Sequence, residues 1–269
     1  MREKIIVVLG PTASGKSSLA ITLAKKFNGE IISADSRQVY KGLDIGTGKV
    51  TTDEMAGIPH HLLDVADPKH RYTVVRYVEQ AKQAIEEIVK RGHTPIVCGG
   101  TGFYIEALVT GTVLPDVPPN PKLRKKLSAL SKEKLFQMLA KLDARRAKAI
   151  DQGNARRIIR AIEISQALGA VPKVKKRSDS RYDFYQIGIK TEPSVLKEKI
   201  RTRLFSSIDD GMIHEAEKRH RRDPVALAAH RGRAGESEQG SARRRREVPR
   251  RGAQGPLRSV YQVQAGARR

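Results

Sequence analysis

The chain has 269 residues, and its 52 lysines and arginines against 29 aspartates and glutamates give a formal net charge of +23. No apolar run of about 18 residues occurs, so the composition excludes an integral membrane protein, and a single cysteine, Cys98, excludes an intramolecular disulfide framework. Because the chain starts on a strand pattern without a secretory signal and is strongly basic, we expect a cytoplasmic protein with a polyanionic partner.

The first half of the chain alternates strand and helix patterns. Apolar runs over 4–9, 30–35 and 94–98 are typical of strands, whereas the apolar spacing over 19–27 and 73–90 predicts helices. This alternation predicts an α/β fold with a parallel sheet.

The middle of the chain has a different pattern. Four prolines lie between residues 115 and 121, and the spacing from 122 to 168 is helical only, before a strand over 184–189 and a helix over 196–208. We therefore predict a P-loop NTPase-like parallel sheet built from residues 1–115 plus 182–218, with an inserted all-helical subdomain over 116–181.

Residues 10–17 fit the pattern G-x-x-x-x-G-K-[ST] between a strand and a helix, which is the context that a phosphate-binding P-loop requires. The members are Gly10, Pro11, Thr12, Ala13, Ser14, Gly15, Lys16 and Ser17. Loop amides and the helix N-terminus face phosphate oxygens, Lys16 adds a positive charge, and the Ser17 hydroxyl is a candidate Mg²⁺ ligand. The loop predicts a phosphate compound without defining which one.

Two further polar residues follow predicted strands, at the edge where ligands of parallel sheets bind. Asp35 is a candidate general base or Mg²⁺ ligand, and the alternative role is to cap the following turn. Thr101, after Gly99 and Gly100, can hydrogen-bond a phosphate or a reacting oxygen, and the alternative is to cap the next helix.

An arginine-rich helix is predicted over 154–168. Arg156, Arg157 and Arg160 fall on one side of it, and Ile158, Ile159 and Ile162 fall on the other. Unmatched arginines at this density suit RNA phosphates or base stacking, whereas the alternative is a solvated face.

The histidines and the cysteine receive structural roles. His60 and His61 are adjacent and have no third ligand at a zinc spacing, so we expect them to form structural hydrogen bonds. We expect Cys98 to be a small core residue of its strand.

The last segment, residues 219–269, is unlike the rest. It carries net +10 against +13 for residues 1–218, all of its 14 basic residues are arginine, and its aliphatic residues follow no period. Three interpretations remain: a disordered basic extension, an RNA-binding arm, and a segment read out of frame, which we favour as a hypothesis.

Six motifs together resemble those of bacterial tRNA dimethylallyltransferases. They are GPTASGKS over 10–17, DSRQVY over 35–40, LDIGTGK over 43–49, PHHLLD over 59–64, GGTG over 99–102 and NARRIIRAIE over 154–163. The resemblance covers residues 4 to about 218, and we expect none beyond, where family members continue with further helices.

The resemblance implies transfer of a dimethylallyl group from its diphosphate to N6 of the adenine immediately 3′ of the anticodon, in tRNAs that read codons beginning with U. It implies that Asp35 accepts the N6 proton, that Thr101 lies beside the bridging oxygen, and that Arg203 helps to hold the diphosphate in the P-loop with Mg²⁺. The implied partners are the anticodon stem-loop and dimethylallyl diphosphate, with no membrane, and the implied state is a monomer. The tRNA-contacting residues would be Asp35, Ser36, Arg37, Gln38, Thr101, Arg124, Arg156, Arg157, Ile158, Ile159 and Arg160.

Two other functions remain open from the residues. A P-loop kinase of a nucleotide or small metabolite would use ATP, with the helical insertion as a lid. A non-catalytic RNA-binding module would keep the P-loop as a structural turn.

Overall fold

The computed structural model describes residues 2–113, 115–173, 175–176, 179, 181–222 and 260–265. The chain divides into two compact units, Met1–Val109 with Asp179–Arg269, and Thr110–Ser178. The second unit begins before residue 116, where we expected it to start, because residues 112–113 pair with 175–176 in a two-stranded ribbon. The first unit is built from two separate stretches of the chain, and the residues of the second unit lie between them in the sequence.

The strands, in chain order, are β1 Glu3–Leu9, β2 Gly29–Ser33, β3 His60–His61, β4 Thr94–Gly99, β5 Thr112–Val113, β6 Lys175–Lys176, β7 Tyr182–Lys190 and β8 Val260–Ala265. The helices are α1 Lys16–Lys26, α2 Thr52–Met55, α3 Val74–Lys90, α4 Gly102–Thr110, α5 Pro121–Ser128, α6 Lys132–Leu142, α7 Ala144–Ala149, α8 Ala155–Leu168, α9 Pro193–Asp209 and α10 Met212–Arg222.

The first unit is built on a sheet with the order β3-β2-β4-β1-β7-β8. β1 pairs in parallel with β4 and β7, and β2 pairs in parallel with β3 and β4. Because β4 lies between β1 and β2, the loops that follow these three strands meet at one edge of the sheet. The predicted parallel α/β sheet is confirmed.

Apolar side chains on both faces of the sheet explain why its strands read as continuous apolar runs. Val7 packs in the cluster that contains Ile85 of α3 and Ile105 of α4, whereas Val8 packs in a second cluster with Ala20 and other residues of α1. The P-loop helix and the two later helices therefore contribute to separate cores.

Strand β8 occupies the edge of this sheet and runs antiparallel to β7, with Lys190 opposite Val260 and Tyr185 opposite Ala265. The sequence patterns predicted no strand at these positions, which fall in the arginine-rich segment 219–269. An open edge such as that of β7 offers unpaired backbone groups to any extended segment, whatever its side-chain period. Residues 223–259 and 266–269 of that tail lie outside the described residues.

The second unit is helical apart from the β5–β6 ribbon. Its core is formed by Leu127 of α5, Leu135 and Leu139 of α6, and Ile158 and Ile162 of α8. Asp143 begins α7 by accepting the N–H of Arg146, and it also accepts the N–H of Val171. Across the described part of the chain, no helix has the length and apolarity that a membrane span needs.

Candidate functional site

The P-loop joins β1 to α1 and leaves the first turn of α1 open to a ligand. Gly15 is the N-cap residue, with φ of 89°, and it provides no side-chain capping bond, while Ala13 also has a positive φ of 62°. A Cβ at Gly10 would lie only 2.7 Å from the Ser14 Oγ, so the turn requires glycine there. The loop therefore presents helix N-terminal amides to an anion such as a phosphate.

Lys16 brings its ammonium group to the same edge of the sheet. Its Nζ donates to the carbonyl of Pro11 at 3.3 Å. A Cβ built on Gly100 would lie 3.8 Å from this Nζ, which places the ammonium beside the residue that follows β4. The P-loop lysine therefore lies next to the end of the neighbouring strand.

Asp35 follows β2 and organises a turn. Its Oδ1 accepts the N–H of Arg37 at 2.9 Å and the N–H of Gln38 at 3.4 Å. Asp35 therefore does cap the turn that follows β2, as the alternative interpretation predicted. Both capping bonds use Oδ1, and the residue is only half-buried. One carboxylate can both hold the turn and present its second oxygen to a proton.

Thr101 contacts the Asp35 turn through its side chain, while its carbonyl accepts the N–H groups of Tyr104 and Ile105 at the start of α4. Its Oγ1 accepts the N–H of Ser36 at 2.9 Å and donates to the Ser36 Oγ at 3.3 Å. Its backbone N–H also bonds the carbonyl of Ala34 at 3.1 Å. The polar residues after β2 and β4 are thus tied together, as their positions in the sequence predict.

Arg203, on α9, is connected to this turn through the segment 43–49. The carbonyl of Gly48 accepts both Arg203 Nη2 at 2.8 Å and Gln38 Nε2 at 3.0 Å. A Cβ at Gly48 would lie 1.4 Å from Arg203 Nη2 and would displace the guanidinium, and the φ of 56° at this residue also favours glycine. A chain of hydrogen bonds therefore runs from Asp35 through Gln38 and Gly48 to Arg203.

A small cavity adjoins these groups. It is lined by Ser17, Ala20, Ile31, Ser33, Gln38, Val50, His60, Leu63 and Cys98. The lining brings the candidate metal ligand of the P-loop, Ser17, and the turn residue Gln38 to the same space.

The residues predicted to have structural roles do have them. His60 Nδ1 bonds the carbonyl of Ile58 at 2.8 Å, and His61 Nε2 bonds Glu30 at 2.6 Å. Among the described residues, no group of three or more His, Cys, Asp or Glu side chains could hold a metal ion. Cys98 is buried, and burial raises the pKa of its thiol to about 12.

In the second unit, two of the predicted tRNA-contacting arginines are ion-paired. Glu163, 2% exposed, accepts Arg124 Nη2 and Arg160 Nη1 at 2.6 Å each. Burial acts to raise the pKa of Glu163, but the hydrogen bonds from Arg124, the Asn120 N–H and Arg160 outweigh it and lower the pKa to about 2. The interpretation of Arg160 as an unmatched arginine is therefore wrong, because Arg160 pairs with Glu163, three residues further along the same helix.

The isoleucines of α8 also need a correction. Ile158 is fully buried in the core of the second unit and Ile159 packs against that core, so in this structure the Ile158 side chain is not available to RNA. Arg156 and Arg157 are exposed on the same helix. Of residues 156–160, only Ile158 has a fully buried side chain.

Sequence analysis missed Glu215 of α10, whose carboxylate accepts three backbone N–H groups of the segment 43–49. It also missed Glu30, a buried carboxylate paired with Arg91, His61 and His93. Nothing near either glutamate in the sequence indicates these partners. The two glycines within residues 43–49 were the one sequence signal for the contact with Glu215, because glycines mark a backbone that other groups can approach closely.

These features define a P-loop α/β protein whose anion-binding loop, carboxylate and threonine meet at one edge of a parallel sheet. A sequence model of the family described as IPP transferase matches residues 38–235. The chain belongs to the IPP transferase family.

Individual relatives agree with this membership. The tRNA dimethylallyltransferase of Levilactobacillus brevis is 43% identical over 231 residues, which cover 84% of this chain and 75% of the relative. The tRNA dimethylallyltransferase of Anoxybacillus flavithermus is 41% identical over 221 residues, covering 81% and 71% of the two chains.

Solved structures give the same result. The full-length tRNA isopentenylpyrophosphate transferase of Bacillus halodurans aligns with a TM-score of 0.60 at 35% identity, covering 88% of this chain and 80% of that one. A eukaryotic dimethylallyltransferase, crystallised while acting on tRNA, aligns with a TM-score of 0.68 at 31% identity, covering 81% and 56% of the two chains.

The predicted family, the P-loop α/β fold class and the enzyme class, a prenyltransferase, are confirmed. The match to the family model ends at residue 235, within the arginine-rich segment 219–269.

Proposed function

We propose that this chain transfers a dimethylallyl group from dimethylallyl diphosphate to N6 of the adenine immediately 3′ of the anticodon, in tRNAs that read codons beginning with U. The main support for this proposal is that Lys16, Asp35 and Thr101 lie at one edge of the sheet, beside the open N-terminus of α1. Relatives that share this chain's sequence over most of its length are named for this reaction.

The donor diphosphate is assigned to the P-loop. The amides of the loop and of the first turn of α1 would bind its oxygens, and Lys16 would add a positive charge beside them. Arg203 would complete the site as a bidentate cation, since its guanidinium presents several donors in a fixed plane. These groups favour the transition state because negative charge grows on the diphosphate as the C–O bond breaks.

The transfer step requires one base, which accepts a proton, and one leaving group, which accepts an electron pair. The N6 lone pair forms a bond to C1 of the dimethylallyl group, the C1–O bond breaks, and its electron pair leaves on the diphosphate. N6 loses one proton to the Asp35 carboxylate, whose Oδ1 is already oriented by the turn at Arg37 and Gln38. The Thr101 hydroxyl, bonded to Ser36, would lie near the bridging oxygen.

Magnesium is part of the proposal. The described residues form no cluster of acidic or histidine ligands, which fits an ion held mainly by substrate phosphate oxygens and one protein hydroxyl. Ser17, exposed in the first turn of α1, is the residue that would hold it. When bound, Mg²⁺ would stabilise charge on the leaving diphosphate.

We further propose that this chain binds the anticodon stem-loop of tRNA. In the first unit, the proposed contacts are Ser36, Arg37 and Gln38. In the second unit, considered by itself, they are Arg124, Arg156, Arg157 and Arg160. The target adenine must leave its stack to reach the Asp35 carboxylate, which requires a protein surface that holds the loop open. We also propose that the protein is a monomer and that it works in the cytoplasm.

The test is to incubate the chain with Mg²⁺, unmodified tRNA and dimethylallyl diphosphate labelled in its prenyl group, and in parallel with ATP labelled in its γ-phosphate. The proposal predicts label in tRNA from the first donor only. Transfer of the γ-phosphate to a nucleotide or metabolite, with no prenyl label in tRNA, would instead identify a P-loop kinase.

A further inference from the structure

The carboxylate of Glu215 lies in a nest of backbone N–H groups. It accepts the N–H of Asp44 at 2.6 Å, of Ile45 at 3.0 Å and of Gly46 at 2.8 Å. A Cβ at Gly46 would lie 3.2 Å from Glu215 Oε2, so a side chain there would press on the carboxylate. Three successive amides facing one carboxylate fix the backbone of this segment far more firmly than a single bond does.

A second residue of α10 holds the same segment. The Arg219 guanidinium donates to the carbonyl of Gly42 at 3.2 Å and also contacts the carbonyl of Lys41. Glu215 accepts hydrogen bonds from backbone N–H groups, whereas Arg219 donates hydrogen bonds to backbone carbonyls. Helix α10 therefore contacts both the donors and the acceptors of the backbone over residues 41–46. This docking depends on backbone geometry rather than on the side chains of the segment.

The other end of the segment carries the groups of the candidate site. Thr47 Oγ1 donates to the carbonyl of Leu43 at 2.6 Å and Lys49 Nζ bonds Asp44 at 2.6 Å, so residues 43–49 form one internally bonded loop. Its Gly48 carbonyl is the shared acceptor of Arg203 and Gln38. A shift of residues 44–46 would therefore move the acceptor that orients both side chains.

We propose that Glu215 is a positioning residue for the diphosphate site: by fixing residues 44–46, it holds the Gly48 carbonyl where it orients the Arg203 guanidinium. The inference rests on the proposed function, in which Arg203 binds the donor diphosphate. Glu215 itself touches no substrate, and its effect passes through the loop.

The experiment measures inorganic pyrophosphate binding by calorimetry, together with kcat and KM for dimethylallyl diphosphate, in the full chain and three variants. Glu215→Ala should weaken pyrophosphate binding and raise KM for the donor by about tenfold. Glu215→Gln, which keeps one acceptor oxygen for two of the three amides, should recover part of the loss. Glu217→Ala, the matched control, removes the same charge from an exposed position of the same helix and should match wild type.

Amide exchange at residues 44–46 separates positioning from general destabilisation. The proposal predicts faster exchange there in Glu215→Ala, with the P-loop and the strands unchanged. Wild-type pyrophosphate affinity and KM in a folded Glu215→Ala variant would overturn the inference while leaving the proposed function standing. Absence of pyrophosphate binding and prenyl transfer in the wild-type chain would instead overturn the proposed function.

Discussion

The Thr101 hydroxyl accepts the backbone N–H of Ser36 at 2.9 Å, and this bond joins the residue that follows β4 to the turn that follows β2. The two residues are 65 positions apart in the sequence. Because Ser36 directly follows Asp35, the bond fixes the start of the turn that carries the proposed base. Thr101 therefore holds the Asp35 turn, and in the proposed reaction its hydroxyl would also lie beside the bridging oxygen of the donor.

The first prediction concerns this bond. Thr101→Ala leaves the half-buried N–H of Ser36 without its acceptor, and we expect kcat for prenyl transfer to fall by about tenfold or more. Thr101→Ser keeps the hydroxyl and should retain most of the activity. Thr22→Ala, which removes an exposed hydroxyl bonded to Ser18 on α1, is the control. Equal kcat values for Thr101→Ala and wild type would contradict the role of Thr101.

Local patterns account for most of the fold. The apolar runs predict β1, β2 and β4, and the spacing of Ala81, Ile85 and Ile88 predicts α3, whose buried face contains these three residues. Strand and helix order along the chain then brings the P-loop, Asp35 and Thr101 together, because the carboxyl ends of neighbouring parallel strands meet at one edge.

Long-range polar pairs could not be predicted. Glu215 bonds Asp44 across 171 positions and Arg124 bonds Glu163 across 39, and no period or motif relates such residues. An arginine looks the same in the sequence whether it faces solvent or a buried carboxylate. The pairing of Arg124 with Glu163 is therefore not visible in the sequence, whereas Arg160 and Glu163 are three residues apart on one helix, at a spacing that allows an ion pair.

The second prediction is a pH dependence that comes from Glu163. Its pKa in the folded chain, about 2, lies below the usual 4.5, so the carboxylate stabilises the fold at pH values above about 4.5 and loses that contribution as the pH falls toward 2. We expect Glu163→Gln to lower the free energy of unfolding by about 3 kcal/mol at pH 7. The difference from wild type should shrink steadily in urea titrations from pH 5 to pH 3. A difference that stays constant across this range would contradict the assignment of the lowered pKa to Glu163.

The third prediction concerns the arginines of α8. Arg156→Ala should weaken tRNA binding and reduce the slope of log affinity against log salt by about 1, since each phosphate contact contributes about one counterion. Lys148→Ala removes an exposed positive charge from α7 in the same unit and is the matched control. An unchanged slope in Arg156→Ala would contradict RNA binding by this face of α8 and would favour the alternative, a solvated face.

The fourth prediction concerns the coding sequence of the arginine-rich segment. The switch from lysine to arginine after Lys218 is typical of a shifted, GC-rich codon stream, although the family match continues to residue 235. We expect resequencing of the source DNA from codon 217 through codon 235 to show a change of reading frame. A single uninterrupted frame over these codons would refute the hypothesis.

The central claim is that the Asp35 carboxylate accepts the N6 proton during prenyl transfer to tRNA, and single-turnover transfer by Asp35→Asn tests it most directly. Asparagine keeps the Oδ1 acceptor that holds the N–H groups of Arg37 and Gln38, so the turn and tRNA affinity should be preserved. We expect the transfer rate with saturating dimethylallyl diphosphate to fall by about 10²–10⁴-fold, with tRNA affinity within about twofold of wild type. Transfer by Asp35→Asn at the wild-type rate would contradict the account.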